Sequence, residues 1–100
     1  MNTLRSKDRR PTHPGAILRE DILPSLDMTQ TELAKRLGVS RRTVSQIIHE
    51  HRPITPDIAI RLAHLLGGAP ESWLNMQLAL DVWELERKNS RSYEQIRMVA

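Results

Sequence analysis

The sequence predicts an all-α fold of five short helices, and three observations carry that expectation. Leucine (13) and isoleucine (8) outnumber valine (4), a balance that favours packed helices over sheets. No segment carries strand signals. Apolar residues recur at helical spacing, bracketed by Ser or Thr caps on one side and Gly stops on the other. The 100 residues fit one small domain. With two Trp, one Tyr and no Phe, its core must be aliphatic.

Residues 1–11 mix charges with Asn2, Ser6 and Pro11 and hold one aliphatic, Leu4, which reads as a flexible basic arm. Thr12-His13-Pro14 opens the first helix, with proline in the first turn. Ile17, Leu18 and Ile22 form its apolar stripe, Glu20 and Asp21 its acidic outer face, and Pro24 lies near its end. Thr29 and Glu32 make a capping box for the second helix, in which each side chain satisfies the other end's free backbone N–H. Leu33, Ala34 and Leu37 are its stripe, and Gly38 stops it in a left-handed conformation. After only Val39, Ser40 caps a third helix whose Val44, Ile47 and Ile48 turn inward. Two short helices joined by about three or four residues including a glycine have the form of a helix-turn-helix. Thr55, Pro56 and Asp57 open a fourth helix, with Ile58, Ala59, Leu62, Ala63 and Leu66 as its buried face and Gly67-Gly68 as its stop. Pro70 and Glu71 open a fifth, running roughly to Lys88. The helical domain thus spans residues 12–88, and residues 89–100 form a polar tail.

Composition removes several kinds of function. With no cysteine there are no disulfides, Fe–S clusters, thiol nucleophiles or cysteine zinc sites. No apolar run approaches the ~18 residues of a membrane span, and the polar N-terminus lacks a signal-peptide core, so the expected location is cytoplasmic. There is no glycine-rich phosphate loop. His49-Glu50-His51 on a continuous helix would splay its imidazoles by about 200°, and His13 and His64 lack partners in sequence. We therefore expect no metal site, no cofactor and no enzymatic activity.

The net charge of +3 is modest, but its placement is informative. Arg5, Lys7, Arg9 and Arg10 concentrate positive charge in the arm, and Lys35, Arg36, Arg41, Arg42 and Arg52 concentrate it around the second and third helices. Twelve of the fifteen basic residues are arginine, whose planar fork suits phosphates and guanine edges. The third helix has no acid between Ser40 and Ile48, where an ordinary surface helix would mix Glu and Lys. It presents two arginines, three hydroxyls and a glutamine instead, with the basic pair in the first turn. A recognition helix enters the major groove by its N-terminal residues. Gln30 opens the second helix, where an amide and a helix N-terminus together suit a backbone phosphate.

The segment from Thr29 to Ser45, Thr-Gln-Thr-Glu-Leu-Ala-Lys-Arg-Leu-Gly-Val-Ser-Arg-Arg-Thr-Val-Ser, resembles the Xre/Cro/C1 family of helix-turn-helix proteins, with its lambda repressor-like fold. His13-Pro14-Gly15, Ile54-Thr55-Pro56, Ala59-Ile60-Arg61-Leu62-Ala63 and Trp73-Leu74-Asn75-Met76-Gln77 resemble its HigA (VapI-like) branch, and the match covers roughly residues 12–83. The resemblance implies an antitoxin of a HigBA-type module. Such a protein neutralises an mRNA-cleaving, RelE-like HigB toxin and binds operator DNA as a dimer to repress its own operon. Carried onto this chain, base reading falls on Arg41, Arg42, Ser45 and Gln46. Gln30, Ser40 and Thr43 take phosphates, with His49 beside them. The chain departs from the family in having His49-Glu50 for the usual Asn-Gly and Leu80-Asp81 for a Tyr-Asp pair. The first departure suggests a recognition helix that ends differently or extends, and a Glu50 that repels phosphate near His49, His51 and Arg52.

The fifth helix carries two apolar sides. Leu74, Leu78 and Leu85 share one, and Trp73, Met76, Leu80 and Trp83 lie roughly opposite. A monomer's surface helix needs one stripe, so the second implies a partner. We expect Trp73, Met76, Leu80 and Trp83 at a homodimer seam, which would let two recognition helices read half-sites about 34 Å apart. Two alternatives are a stand-alone regulator without a toxin and a protein-interaction module that no longer reads DNA.

Overall fold

The computed structural model describes residues 8–99, and among them every regular element is a helix. Residues 1–7 of the expected arm lie outside the described residues. Of the remainder, Pro11 is buried, Arg10 reaches Glu50 (3.4 Å) and Glu84 (3.5 Å), and Asp8 pairs with Arg87 (3.0 Å). The inner part of the expected arm is thus laid against the domain.

Helix α1 (residues 14–26) is continuous but not uniform: α-helical turns at Pro14–Ile17 and Leu23–Leu26 flank a π-helical stretch at Leu18–Ile22. Pro24 accounts for the change, because proline offers no N–H and its ring crowds the carbonyl four residues back. A widened turn ahead of it relieves that crowding. The other helices are α2 (Gln30–Leu37), α3 (Arg41–Ile48), α4 (Pro56–Leu66), α5 (Pro70–Lys88) and a short α6 (Ser90–Glu94) within the expected tail. No helix among the described residues is long and apolar enough to cross a membrane.

Side-chain caps start four of these helices. His13 Nδ1 accepts from the Gly15 N–H at 2.8 Å, Thr29 Oγ1 from Glu32 at 3.1 Å, Ser40 Oγ from Thr43 at 3.0 Å and Thr55 Oγ1 from Ile58 at 3.3 Å. Only half of the expected capping box forms. The Glu32 carboxylate turns to Arg36 (3.2 Å) one turn on, an i,i+4 pair competing for the same oxygens. At their far ends, α1, α2 and α3 close with the same pair of backbone bonds. Met28, Val39 and His51 each donate to a carbonyl five residues back, which places Asp27, Gly38 and Glu50 in the left-handed region at φ 52°, 75° and 64°.

The core gathers Leu18 and Leu23 from α1, Leu33, Ala34 and Leu37 from α2, Val44, Ile47 and Ile48 from α3, Ile54, and Ile58, Ala59 and Leu62 from α4. Trp73 of α5 completes it. Three contacts lock the helices together. Gly15 packs its bare backbone on α3: a Cβ there would lie 1.9 Å from the Ile47 carbonyl oxygen. Arg61 of α4 donates to the Leu37 carbonyl at 2.8 Å, capping α2, while Asp57 steadies it at 2.9 Å. Gln77, buried in α5, accepts from the Ile54 N–H and donates to Asp81, both at 2.9 Å.

The last contact corrects the reading of α5. Trp73, Gln77 and Leu80 share its inward face, and Trp73 and Leu80 are 8% and 2% exposed within a single chain. They fill the protomer and leave nothing for a seam. Met76 packs partly against the core, and Trp83 is half-buried with the Arg87 guanidinium 4.4 Å from its ring centre. The outward stripe is Leu78, Val82 and Leu85, 59%, 45% and 47% exposed. The radius of gyration, 16.1 Å, exceeds the ~13 Å of a compact domain of this length.

Two outcomes follow from the start of α1. Gly15→Ala forces a methyl into the Ile47 carbonyl, so α1 must shift off α3. We expect a loss of at least about 2 kcal/mol, read as a fall of 10 °C or so in Tm by circular dichroism. An unchanged Tm would refute the contact. Burial lowers the His13 pKa from 6.5; Glu50 opposes this, and Arg10 adds to it. The unfolded chain then binds a proton that the folded one resists. Stability is therefore full above the ordinary histidine range and declines as the pH falls through it. His13→Asn caps without titrating, so Tm between pH 7.5 and 5.5 is expected to fall less steeply in the variant than in the parent.

Candidate nucleic-acid interface

Burial of Val44, Ile47 and Ile48 fixes which side of α3 faces solvent. Arg41, Arg42 and His49 are exposed, and Thr43, Ser45 and Gln46 are half-buried. Gln30 begins α2 directly after its Thr29 cap and is also half-buried. The helix is held from behind. Arg19, from the π-helical stretch of α1, donates to the Ile48 carbonyl at 2.6 Å and lies 3.4 Å from Glu50. The C-terminal end of α3 is thus fastened to the body, and at its N-terminal end the Arg41 and Arg42 side chains are exposed.

Charge pairing separates this surface from the other arginines of residues 12–88, though Arg9, Arg91 and Arg97 toward the two ends of the chain also meet no carboxylate among the described residues. Arg10, Arg19, Arg36, Arg61 and Arg87 all meet a carboxylate. Arg41, Arg42 and Arg52 meet none among the described residues. Glu50 does not reach toward them, because its carboxylate is held between Arg10 and Arg19. The expected repulsion of phosphate by Glu50 is thereby reduced. The recognition helix also ends in an ordinary way: Glu50 adopts the left-handed conformation that glycine takes at this position in α2.

The hydroxyls at the start of α3 form a connected set. Ser40 Oγ and Thr43 Oγ1 are 2.9 Å apart, and Arg52 donates to Thr43 Oγ1 at 3.1 Å from the loop after the helix. Sequence reasoning counts Arg52 in the basic cluster but sets it aside from the site because Glu50 lies two residues before it. The nine-residue separation of Arg52 from Thr43 matches no helical spacing, and only the turn at Glu50 brings it back. At the other end, His49 Nδ1 lies 2.8 Å from the Ser45 carbonyl oxygen. A carbonyl only accepts, so Nδ1 carries the hydrogen and Nε2 faces outward. The imidazoles of His49 and His51 stand 6.4 Å apart. The predicted 200° splay fails because α3 ends before His51. Among the described residues no group of three or more His, Asp or Glu side chains is arranged to hold a metal ion.

The arrangement offers unneutralised guanidinium groups and hydroxyl donors on one exposed helix face, which is chemistry suited to phosphates and base edges. Comparison with known proteins points the same way. The family model described as helix-turn-helix, HTH_3, matches residues 18–74. YbaQ of Escherichia coli K12, named as an uncharacterized HTH-type transcriptional regulator, is 40% identical over 93 residues, 93% of this chain and 81% of that protein. Antitoxin HigA-1 of Vibrio cholerae is 39% identical over 85 residues, 85% of this chain and 80% of its own length. The structure of Pseudomonas aeruginosa antitoxin HigA with the higBA promoter superposes with a TM-score of 0.85 at 34% identity, covering 91% of this chain and 100% of that one.

The two left-handed acids serve as a test of the helix ends. Asp27→Gly removes a crowded Cβ without removing an ion pair, so a gain of up to about 1 kcal/mol is expected. Glu50→Gly also releases Arg10 and Arg19 and should gain less, or lose. Equal gains in chemical denaturation would show that the Glu50 ion pairs contribute nothing.

Proposed function

This chain belongs to the helix-turn-helix family HTH_3 and, within it, to the HigA antitoxins; from that membership we propose that it is an antitoxin that also represses its own operon. It binds operator DNA by inserting α3 in the major groove and neutralises a HigB-type toxin, an mRNA-cleaving ribonuclease of the RelE class. The observation that carries the DNA half of the reading is the contrast in pairing. Within residues 12–88, Arg19, Arg36, Arg61 and Arg87 are matched to acids, whereas Arg41 and Arg42 stand exposed in the first turn of α3 and, with Arg52, meet no carboxylate among the described residues. Base reading is assigned to Arg41, Arg42, Ser45 and Gln46, with Gln30, Ser40, Thr43 and His49 around them.

The operator-bound form is a homodimer, since one eight-residue helix contacts little DNA and two related by a two-fold axis read paired half-sites. The outward stripe Leu78, Val82 and Leu85 supports a seam along α5, with Met76 and Trp83 at its margin. A second reading, a regulator without a toxin, is favoured by the likeness to YbaQ. A toxin gene beside this one, and a complex on co-expression, separate the two.

Arg41→Ala and Arg42→Ala should each weaken operator binding about tenfold or more, as loss of a good base contact does, while leaving toxin binding intact. Parallel loss of both would indicate a damaged fold. Gel-shift stoichiometry is expected at two chains per operator, and one chain per operator would remove the dimer.

A further inference from the structure

We propose that Arg52 is a further phosphate-binding residue of this interface, and that it orients the Ser40 hydroxyl as a second donor to the same DNA strand; this rests on the reading that α3 enters operator DNA. The backbone on both sides of Arg52 is held by hydrogen bonds. Ahead of it, the Glu50 and His51 amides bond back to the Ile47 and Gln46 carbonyls. Behind it, the Ile54 amide is held by the buried Gln77. Its guanidinium then folds back across the mouth of α3 to Thr43 Oγ1 at 3.1 Å.

A guanidinium has five N–H donors, and this contact uses one. The side chain is exposed, and no carboxylate meets it among the described residues. The acid two residues before it, Glu50, is occupied by Arg10 and Arg19. What remains is a preorganised cation held at Thr43, the residue that follows Arg41 and Arg42 in α3, its rotamer freedom already reduced before any ligand arrives.

The contact also gives the hydroxyl pair a direction. A cation donating to Thr43 Oγ1 favours the hydroxyl hydrogen that points away from it, toward Ser40 Oγ at 2.9 Å. Ser40 Oγ then accepts twice, from the Thr43 hydroxyl and from the Thr43 amide at 3.0 Å. Its own hydrogen is left to point outward. Arg52, through Thr43, is therefore a positioning residue for Ser40 as well as a charge in its own right. Bound together, Arg52 and Ser40 supply phosphate contacts that carry no base information.

The experiment uses the full chain and the duplex that the parent protein selects from a random pool, with binding followed by fluorescence anisotropy across a salt series. Each phosphate neutralised contributes about 0.9 to the slope of log K against log salt. Arg52→Gln keeps a donor to Thr43 but removes the charge. It should lower the slope by about one and weaken binding about tenfold, evenly across operator variants. Arg52→Lys should retain the slope. A merely structural Arg52 would leave the slope unchanged in Arg52→Gln, and that result overturns the proposal. If Arg41→Ala still weakens binding in that case, the DNA-binding reading stands without it. If the parent selects no duplex, both fall.

Discussion

Everything on the exposed side of α3 depends on one close backbone contact, Gly15 of α1 against the Ile47 carbonyl of α3. Because no side chain separates the two helices there, α1 reaches the last turn of α3. Arg19 can then donate to the Ile48 carbonyl and hold Glu50. A helix of eight residues is too short to be stable alone. It keeps its shape because Val44, Ile47 and Ile48 pack in the core, Ser40 caps its start and Arg19 ties down its carbonyl end. The His-Pro-Gly start of α1, far in sequence from the recognition helix, is in effect the rear bearing of α3.

The parts of this structure that were legible in the sequence are those decided within a turn or two of chain. Thr29, Ser40 and Thr55 announce helix starts because a capping hydroxyl acts over three residues. Gly38 announces a stop because a left-handed position favours glycine. The burial of Val44, Ile47 and Ile48 follows from helical period, and with it the outward placement of Arg41 and Arg42. The parts that were not legible depend on distant partners. Glu32 had two suitable partners, the Thr29 amide and Arg36, and local rules do not rank them. Glu50 takes a conformation usually given to glycine, supported by arginines about thirty and forty residues away in sequence.

The fifth helix shows the same limit in another form. Its two apolar sides are equally credible as core, and hydrophobic period alone does not choose between them. The choice lies with Gln77, which stands one turn from Trp73 and less than one from Leu80. A lone amide within an apolar stripe marks the inner face when a backbone group opposite needs a partner, here the Ile54 N–H. Arg52 was set aside for a related reason: a nearby acid in sequence was assumed to be nearby in charge. The tertiary pairing of Glu50 moves that charge elsewhere.

The shared ending of α1, α2 and α3 has a consequence for how the chain folds. Each helix is closed by bonds reaching back five residues or fewer, so its boundaries need no distant contact to be set. Structure dominated by such short loops loses little entropy in finding itself, and chains of this kind fold in microseconds to milliseconds. The slow, cooperative step is then the meeting of elements far apart in sequence, Gly15 with Ile47 and Gln77 with Ile54. A newly made chain would hold nascent helices early and acquire its fixed recognition surface only when those two latches close.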